Sequence, residues 1–162
     1  MLRNIVSGEN GLRDPSGKER DSELFLQSVA RALEVLSVFH RSQAPLSLSA
    51  IAQASGIGRS AAQRIVHTLQ TLGYLERAEG DRGYVPGIRL LDHSHDYLRL
   101  NPLVERATPV LLDLRRNARE RIDLSLHDGL RMVYAARMQS KRETFFATLV
   151  GHSVPTFCTS GG

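Results

Sequence analysis

The sequence has few of the residues that define several whole classes of protein. Cys158 is the only cysteine among 162 residues, which excludes an internal disulfide framework and any zinc site built on clustered cysteines. No apolar run reaches the roughly 18 residues of a membrane span, and none near the N-terminus resembles a signal peptide. A lone cysteine also fits a reducing compartment. These absences predict a cytoplasmic protein with no membrane partner.

Negative charge is missing from one long stretch. The 41 residues between Glu34 and Glu76 contain no Asp or Glu, although the chain carries 17 acidic residues in all. The same stretch holds Arg41, Arg59 and Arg64. A carboxylate-free surface that bears arginines suits an approach to phosphates, whereas the net charge of +4 is too small to argue for nucleic acid by itself. Chance composition is the alternative to a phosphate-facing surface, and the pattern of predicted helices and strands decides between the two.

The first part of the chain predicts a tail followed by three helices. Residues 1–25 lack any period and are interpreted as a flexible tail. A second, short helix is expected from Leu48, with Ser47 as its N-cap and Gly56 at its end. Apolar residues at helical spacing define the other two helices. The predicted inward residues are Val29, Ala32, Leu33, Leu36 and Phe39 in the first helix, and Ala62, Ile65, Val66, Leu69 and Leu72 in the third, which spans 59–72.

The rest of the chain predicts a hairpin, two helices and a small sheet. Residues 74–77 and 84–85 read as strands around a turn at 79–83. Helices are expected over 88–100 and 103–120. A period of two then begins at Ile122, and an Asp-Gly turn at 128–129 predicts a hairpin with a return strand at 132–138 and a third strand at 144–150. The predicted class is therefore α+β.

Two short helices joined by a glycine turn, followed by a hairpin, are typical of a winged helix-turn-helix. In that motif the second helix braces the third, which enters the major groove of DNA. Arginine and glutamine can make paired contacts with guanine and adenine. The predicted outer face of the third helix has such donors and no carboxylate: Arg59, Ser60, Ala61, Gln63, Arg64, His67 and Thr71. A solvated face of an ordinary three-helix domain is the alternative.

Several segments also resemble a known family. The runs SVARALEVL (28–36), LSAIAQASGI (48–57) and RIVHTLQTLGYL (64–75) look like the DNA-binding domain of IclR-type bacterial transcriptional regulators. The resemblance continues in RIDLSLHDG (121–129) and VGHSVP (150–155). It implies a winged helix-turn-helix at 26–86, a linker helix at 87–101, and the first part of a GAF-like α/β sensor domain at 102–162. In the family this domain continues further, so the sequence is expected to stop inside it.

The resemblance implies a repressor or activator that is a homodimer or tetramer on double-stranded DNA with a pseudo-palindromic operator. It also implies a small organic acid as effector, and no cofactor. The residues expected at DNA are Ser47, Ser49, Arg59, Ser60, Ala61, Gln63, Arg64, His67, Arg77 and Arg82. Those expected at the effector are Phe146, Thr148, Thr159, Ser160 and Gly161, and a frayed C-terminal tail is the alternative for the last three.

Other chemistry is not favoured by the sequence. His93 and His95 are two positions apart on a predicted helix and would project about 200° apart, so they cannot hold one metal ion together. Cys158 and His152 have no identifiable third residue to orient them, so we expect no enzyme. A second hypothesis is a protein-interaction module that forms mixed dimers with full-length relatives through the first helix and the linker helix. An incomplete sheet would favour such association, because its apolar strands would lack partners.

Overall fold

The computed structural model describes residues 23–117, 121–138 and 150–158. The chain divides into two compact units, a first unit of residues 1–90 and a second unit of residues 91–162. Its α+β class agrees with the sequence. The first unit contains α1 (Gln27–Ser37), α2 (Leu48–Ser55), α3 (Arg59–Thr71), β1 (Leu75–Arg77) and β2 (Tyr84–Pro86). Next come α4 (Arg89–Leu100), α5 (Pro102–Asn117), β3 (Ile122–Asp128), β4 (Arg131–Met138) and β5 (Ser153–Pro155).

The ends of α2 follow the local signals in the sequence. The Ser47 hydroxyl accepts a hydrogen bond from the Ala50 amide at 3.2 Å, which satisfies one of the unpaired donors of the first turn. Gly56 ends α2 in the left-handed conformation at φ 65°, which costs glycine little because it has no Cβ. The turn between α2 and α3 is therefore the predicted glycine turn.

The core of the first unit lies where the three helices and the wing meet. Its largest fully buried side chains are Val35, Ile51, Val66 and Leu75, one from each of α1, α2, α3 and β1. Each buried aliphatic side chain of this size contributes about 1.5–3 kcal/mol relative to an exposed one. The helix-turn-helix and the wing thus share one core.

The predicted inward stripes are partly wrong. Val29 and Leu33 of α1 are 52% and 47% exposed, while Val35 and Val38 are buried in their place. Apolar residues lie on two sides of α1, and the spacing alone does not tell which side meets α2 and α3. Leu72 is 54% exposed, because α3 ends at Thr71 and the chain turns there.

The hairpin, called the wing here (residues 75–86), is attached to the segment before α2. β1 and β2 are antiparallel, with Arg77 opposite Tyr84. Leu46 and Tyr84 exchange two backbone hydrogen bonds of 3.0 and 2.8 Å. A Cβ on Gly83 would lie 2.6 Å from the Leu46 carbonyl oxygen, so only glycine allows this close approach. The wing is therefore held beside the N-terminus of α2.

The second unit contains an antiparallel sheet of order β3-β4-β5. The predicted Asp-Gly turn is confirmed, with Gly129 at φ 59°. The predicted third strand at 144–150 lies outside the described residues except for Val150, which lies in a turn. Helix α5 begins at Pro102 rather than at Leu103 and is described as far as Asn117. Within the described ranges, no helix is long and apolar enough to cross a membrane.

Candidate nucleic-acid interface

The outer face of α3 is accessible to a partner. Ala62, Val66 and Leu69 are buried, and this orients the opposite side of α3 outward. Of the seven residues predicted on that side, all but the half-buried Ala61 are exposed. The Thr71 hydroxyl donates to the backbone carbonyl of His67 at 2.9 Å, so it is engaged within the helix.

Three longer polar side chains on this face are not engaged by the protein. In the part of the chain that the structure describes, the side chains of Gln63, Arg64 and His67 make no hydrogen bond or ion pair. Each is exposed. Their donors and acceptors are thus available to a ligand without the loss of an internal contact.

Arg59 and Ser49 are brought together across the turn of the helix-turn-helix. Nη1 of Arg59 donates to the Ser49 hydroxyl at 2.9 Å, and both side chains are exposed. The pair links the first turn of α3 to the first turn of α2. A guanidinium has five donors in a fixed fork, so Arg59 keeps others for a further partner.

A groove lies between α2, α3 and the wing. It is lined by Ser47, Leu48, Gln63, Arg77, Asp81, Arg82, Gly83 and Tyr84. The groove therefore joins four of the predicted DNA-contacting residues, from three different elements. Ser49, Arg59, Ser60, Ala61, Arg64 and His67 are not part of its lining.

Both predicted wing arginines are engaged by the wing itself. Nη1 of Arg77 lies 2.7 Å from Oδ1 of Asp81, and its guanidinium carbon lies 4.3 Å above the centre of the Tyr84 ring. Arg82 donates through Nε to the Glu79 carbonyl at 3.1 Å. Asp81 was missed by sequence reasoning, because its carboxylate follows the acid-free stretch along the chain but faces the same groove in space.

The start of α4 is attached to the wing and to Tyr74, just before it, by contacts that the sequence did not reveal. The Ile88 amide donates to Oε1 of Glu76 at 3.0 Å, and the Gly87 amide donates to the Tyr74 carbonyl at 2.8 Å. Glu76 therefore satisfies an amide at the beginning of the helix that leaves the first unit.

Comparison with known proteins identifies the family of this architecture. Residues 28–79 match the IclR helix-turn-helix domain, and residues 95–162 match the bacterial transcriptional regulator IclR C-terminal domain. The chain belongs to the IclR family. Both matched regions of this IclR-family chain agree with the resemblance noted in its sequence.

Individual relatives support the same conclusion. The chain is 26% identical to the HTH-type transcriptional regulator XynR of Escherichia coli K12, over 85% of this chain and 55% of that protein. It is 30% identical to the Pca regulon regulatory protein of Pseudomonas putida, over 85% of this chain and 47% of that protein. An IclR-family regulator from Brucella abortus superimposes with a TM-score of 0.73 at 27% identity, over 90% of this chain and 54% of the other. The IclR-family chain thus spans about half the length of these relatives, two of which are named as transcriptional regulators and one as a regulatory protein.

In the described part of the IclR C-terminal region, the structure shows a charged cluster on the sheet. Asp123 lies between Nε of Arg121 at 3.0 Å and Nε of Arg137 at 3.2 Å. Asp123 and Arg137 are opposite each other on β3 and β4, so the pair joins the two strands. The predicted effector residues Phe146, Thr148, Thr159, Ser160 and Gly161 all lie outside the described residues.

The described residues offer no metal centre. Across 23–117, 121–138 and 150–158, no group of three or more His, Cys, Asp or Glu side chains could hold a metal ion. The His93 and His95 side chains are both exposed on α4.

Proposed function

We propose that this IclR-family chain binds duplex DNA sequence-specifically, with α3 in the major groove and the wing against the adjacent backbone or minor groove. One observation carries the proposal: the outer face of α3 presents Gln63, Arg64 and His67 without internal partners among the described residues. Side chains of this type can distinguish base pairs in the major groove, where each pair has its own pattern of donors and acceptors. A helix with such an outer face suits the role of a recognition helix.

Charge around α3 supports the same orientation. Neither α2 nor α3 contains a carboxylate, so Arg59 and Arg64 lie on α3 without an acidic side chain of either helix that would repel phosphates. Ser60 and Ala61 are small residues in the first turn of α3, which allows the helix to approach base edges closely. Ser47 and Ser49 lie at the start of α2, where hydroxyl groups can contact the DNA backbone.

Replacing Arg64 by alanine tests the assignment of α3. If Arg64 reads a base, operator binding should weaken by about 1–3 kcal/mol, which is about 5-fold to 150-fold in Kd. The measurement is a gel-shift titration at fixed salt, on an operator selected from random duplexes with the unchanged protein. Arg106→Ala is the matched control, because it removes an exposed arginine from α5 instead. Equal operator affinities of the two variants would contradict the role of Arg64.

Self-association is the second part of the proposal, as a homodimer or tetramer on a pseudo-palindromic operator. Large apolar side chains are exposed on α1 and α4 of the single chain. At α1 they are its N-cap residue Leu26 together with Val29 and Leu33; on α4 they are Leu91, Tyr97 and Leu100. Burial of such side chains against another copy is favourable at about 25 cal/mol per Å² of apolar surface. The same residues favour a second candidate function, in which the chain pairs with a longer relative and keeps it from binding DNA.

Sedimentation velocity tests the association. The unchanged chain should sediment as a dimer or tetramer, and Leu33→Glu should shift it toward monomer because a carboxylate would be buried in the interface. Leu130→Glu makes the same change at an exposed turn and should leave the distribution unchanged. A monodisperse monomer of the unchanged chain would contradict association. Mixed dimers with a co-expressed longer relative that fail to shift DNA would favour the second candidate function.

The proposal also includes a small organic acid as the effector, and the cytoplasm as the location of the protein. It is supported by the match of residues 95–162 to the IclR C-terminal domain. Phe146, Thr148, Thr159, Ser160 and Gly161 stay the predicted effector residues. In the same proposal, residues 26–86 form the winged helix-turn-helix, residues 87–101 form the linker helix, and residues 102–162 form the first part of the sensor domain.

A further inference from the structure

Asp81 is an unexpected residue in a groove that is also lined by four of the residues predicted to contact DNA. Among the described residues that line this groove, it is the only one with a carboxylate. Its side chain is 79% exposed and pairs with Arg77, whose side chain is 48% exposed. A carboxylate at such a surface repels phosphates. Its presence therefore needs an explanation beyond ordinary surface charge.

Stability of the fold does not explain this ion pair. Exposed pairs of this kind contribute little, because water screens the charges and two side chains lose freedom. Asp81 also adopts a left-handed backbone conformation with φ 55°, which aspartate, like asparagine, adopts more readily than most other residues with a side chain.

The contacts of Asp81 determine where Arg77 lies. The Asp81 amide donates to the Ala78 carbonyl at 3.2 Å, which folds the wing turn back so that its carboxylate reaches Arg77. Arg77 also lies over the ring of Tyr84, and Tyr84 is buried and bonded through its backbone to Leu46. The guanidinium is thus held along the wing, and its charge is balanced by a neighbour.

We propose that Asp81 is a specificity-determining residue of the wing, which neutralises Arg77 and so lowers affinity for DNA of arbitrary sequence. The inference rests on the proposed DNA-binding function. Non-specific binding comes almost entirely from phosphates neutralised by basic side chains. An arginine that is already paired with a carboxylate adds little to non-specific binding. The pairing does not affect the proposed base contacts of α3. The ratio of specific to non-specific affinity rises as a result.

Asp81→Asn is the direct test, since asparagine has nearly the same shape and tolerates positive φ. One additional phosphate contact makes the slope of log K against log salt more negative by about 0.9. If the variant and the unchanged protein bind equally at 1 M salt, this change of slope predicts tighter binding of a mixed-sequence duplex by the variant at lower salt. The gain is about eightfold at 0.1 M and about threefold at 0.3 M. The measurement is fluorescence anisotropy with a labelled mixed-sequence duplex across this range of salt.

Two controls isolate the wing from a general effect of charge. Asp96→Asn breaks the exposed Asp96–Arg99 pair on α4, 3.2 Å long in the structure, and changes the net charge of the protein by the same amount. It should leave both affinity and slope unchanged. In an Arg77→Gln background, Asp81→Asn should lose its effect on the slope, because the cation it releases is absent.

The outcomes separate this inference from the proposed function. If the unchanged chain binds duplex DNA with a steep salt dependence but Asp81→Asn does not tighten it, the role of Asp81 is overturned. Equal gains from Asp96→Asn, or a gain that persists without Arg77, overturn it as well. If the unchanged chain shows no salt-dependent binding to any duplex, the proposed function itself fails.

Discussion

Replacing Gly87 by alanine should destabilise the first unit by about 3 kcal/mol, because overpacking of this kind moves the backbone. A Cβ at position 87 would lie 2.2 Å from the Gly73 carbonyl oxygen. No flexible side chain can move aside, since the nearest atoms all belong to the main chain of Gly73 and Tyr74. Relief of the clash would separate the two segments and break the Gly87–Tyr74 hydrogen bond of 2.8 Å. Urea unfolding followed by circular dichroism measures the loss.

Gly58→Ala is the matched control for this substitution. Gly58 precedes α3, and a Cβ at this position would meet no described atom within 4 Å. Its φ is −56°, which alanine adopts without strain. Alanine there costs only the preference of the N-cap position, about 1 kcal/mol or less. A Gly87→Ala variant as stable as Gly58→Ala would show that the segments around Gly73 and Gly87 are not in close contact.

Truncation of Ile51 to alanine should destabilise the first unit by about 2–5 kcal/mol. Ile51 is 0% exposed and lies on α2 in the core shared by α1, α3 and the wing. Loss of its side chain removes apolar contacts and leaves a cavity that the surrounding helices fill only in part. Because α2 braces α3, DNA affinity should fall sharply at temperatures where the variant begins to unfold.

The control for Ile51 is an aliphatic residue that is almost entirely exposed. Leu24 is 90% exposed, so Leu24→Ala should change the free energy of unfolding by less than about 0.5 kcal/mol. Thermal unfolding monitored at a helical wavelength compares the two variants directly. Similar midpoints for both would contradict the position of Ile51 in the core.

Local signals in the sequence were sufficient for the helix-turn-helix. Ser47 caps α2, and Gly56 ends it. The apolar period of α3 predicted correctly that its polar residues are exposed. Such signals depend on residues within one or two helical turns, so they are readable without the rest of the fold. The orientation of α1 was predicted only in part, since Val29 and Leu33 were expected in the core but are exposed. Which side of α1 is buried depends on how it packs against α2 and α3.

The sequence by itself determined the IclR-type architecture, the caps of α2 and a third helix whose outer face lacks carboxylates. Only the tertiary structure decided that Asp81 returns to Arg77 in the groove beside that helix. It also decided that Gly87 meets the backbone of Gly73. The physical reason is the same in both cases. Helix periods and caps are set by neighbours in the chain, whereas charge pairing and close backbone approach depend on where a turn brings the chain back in space.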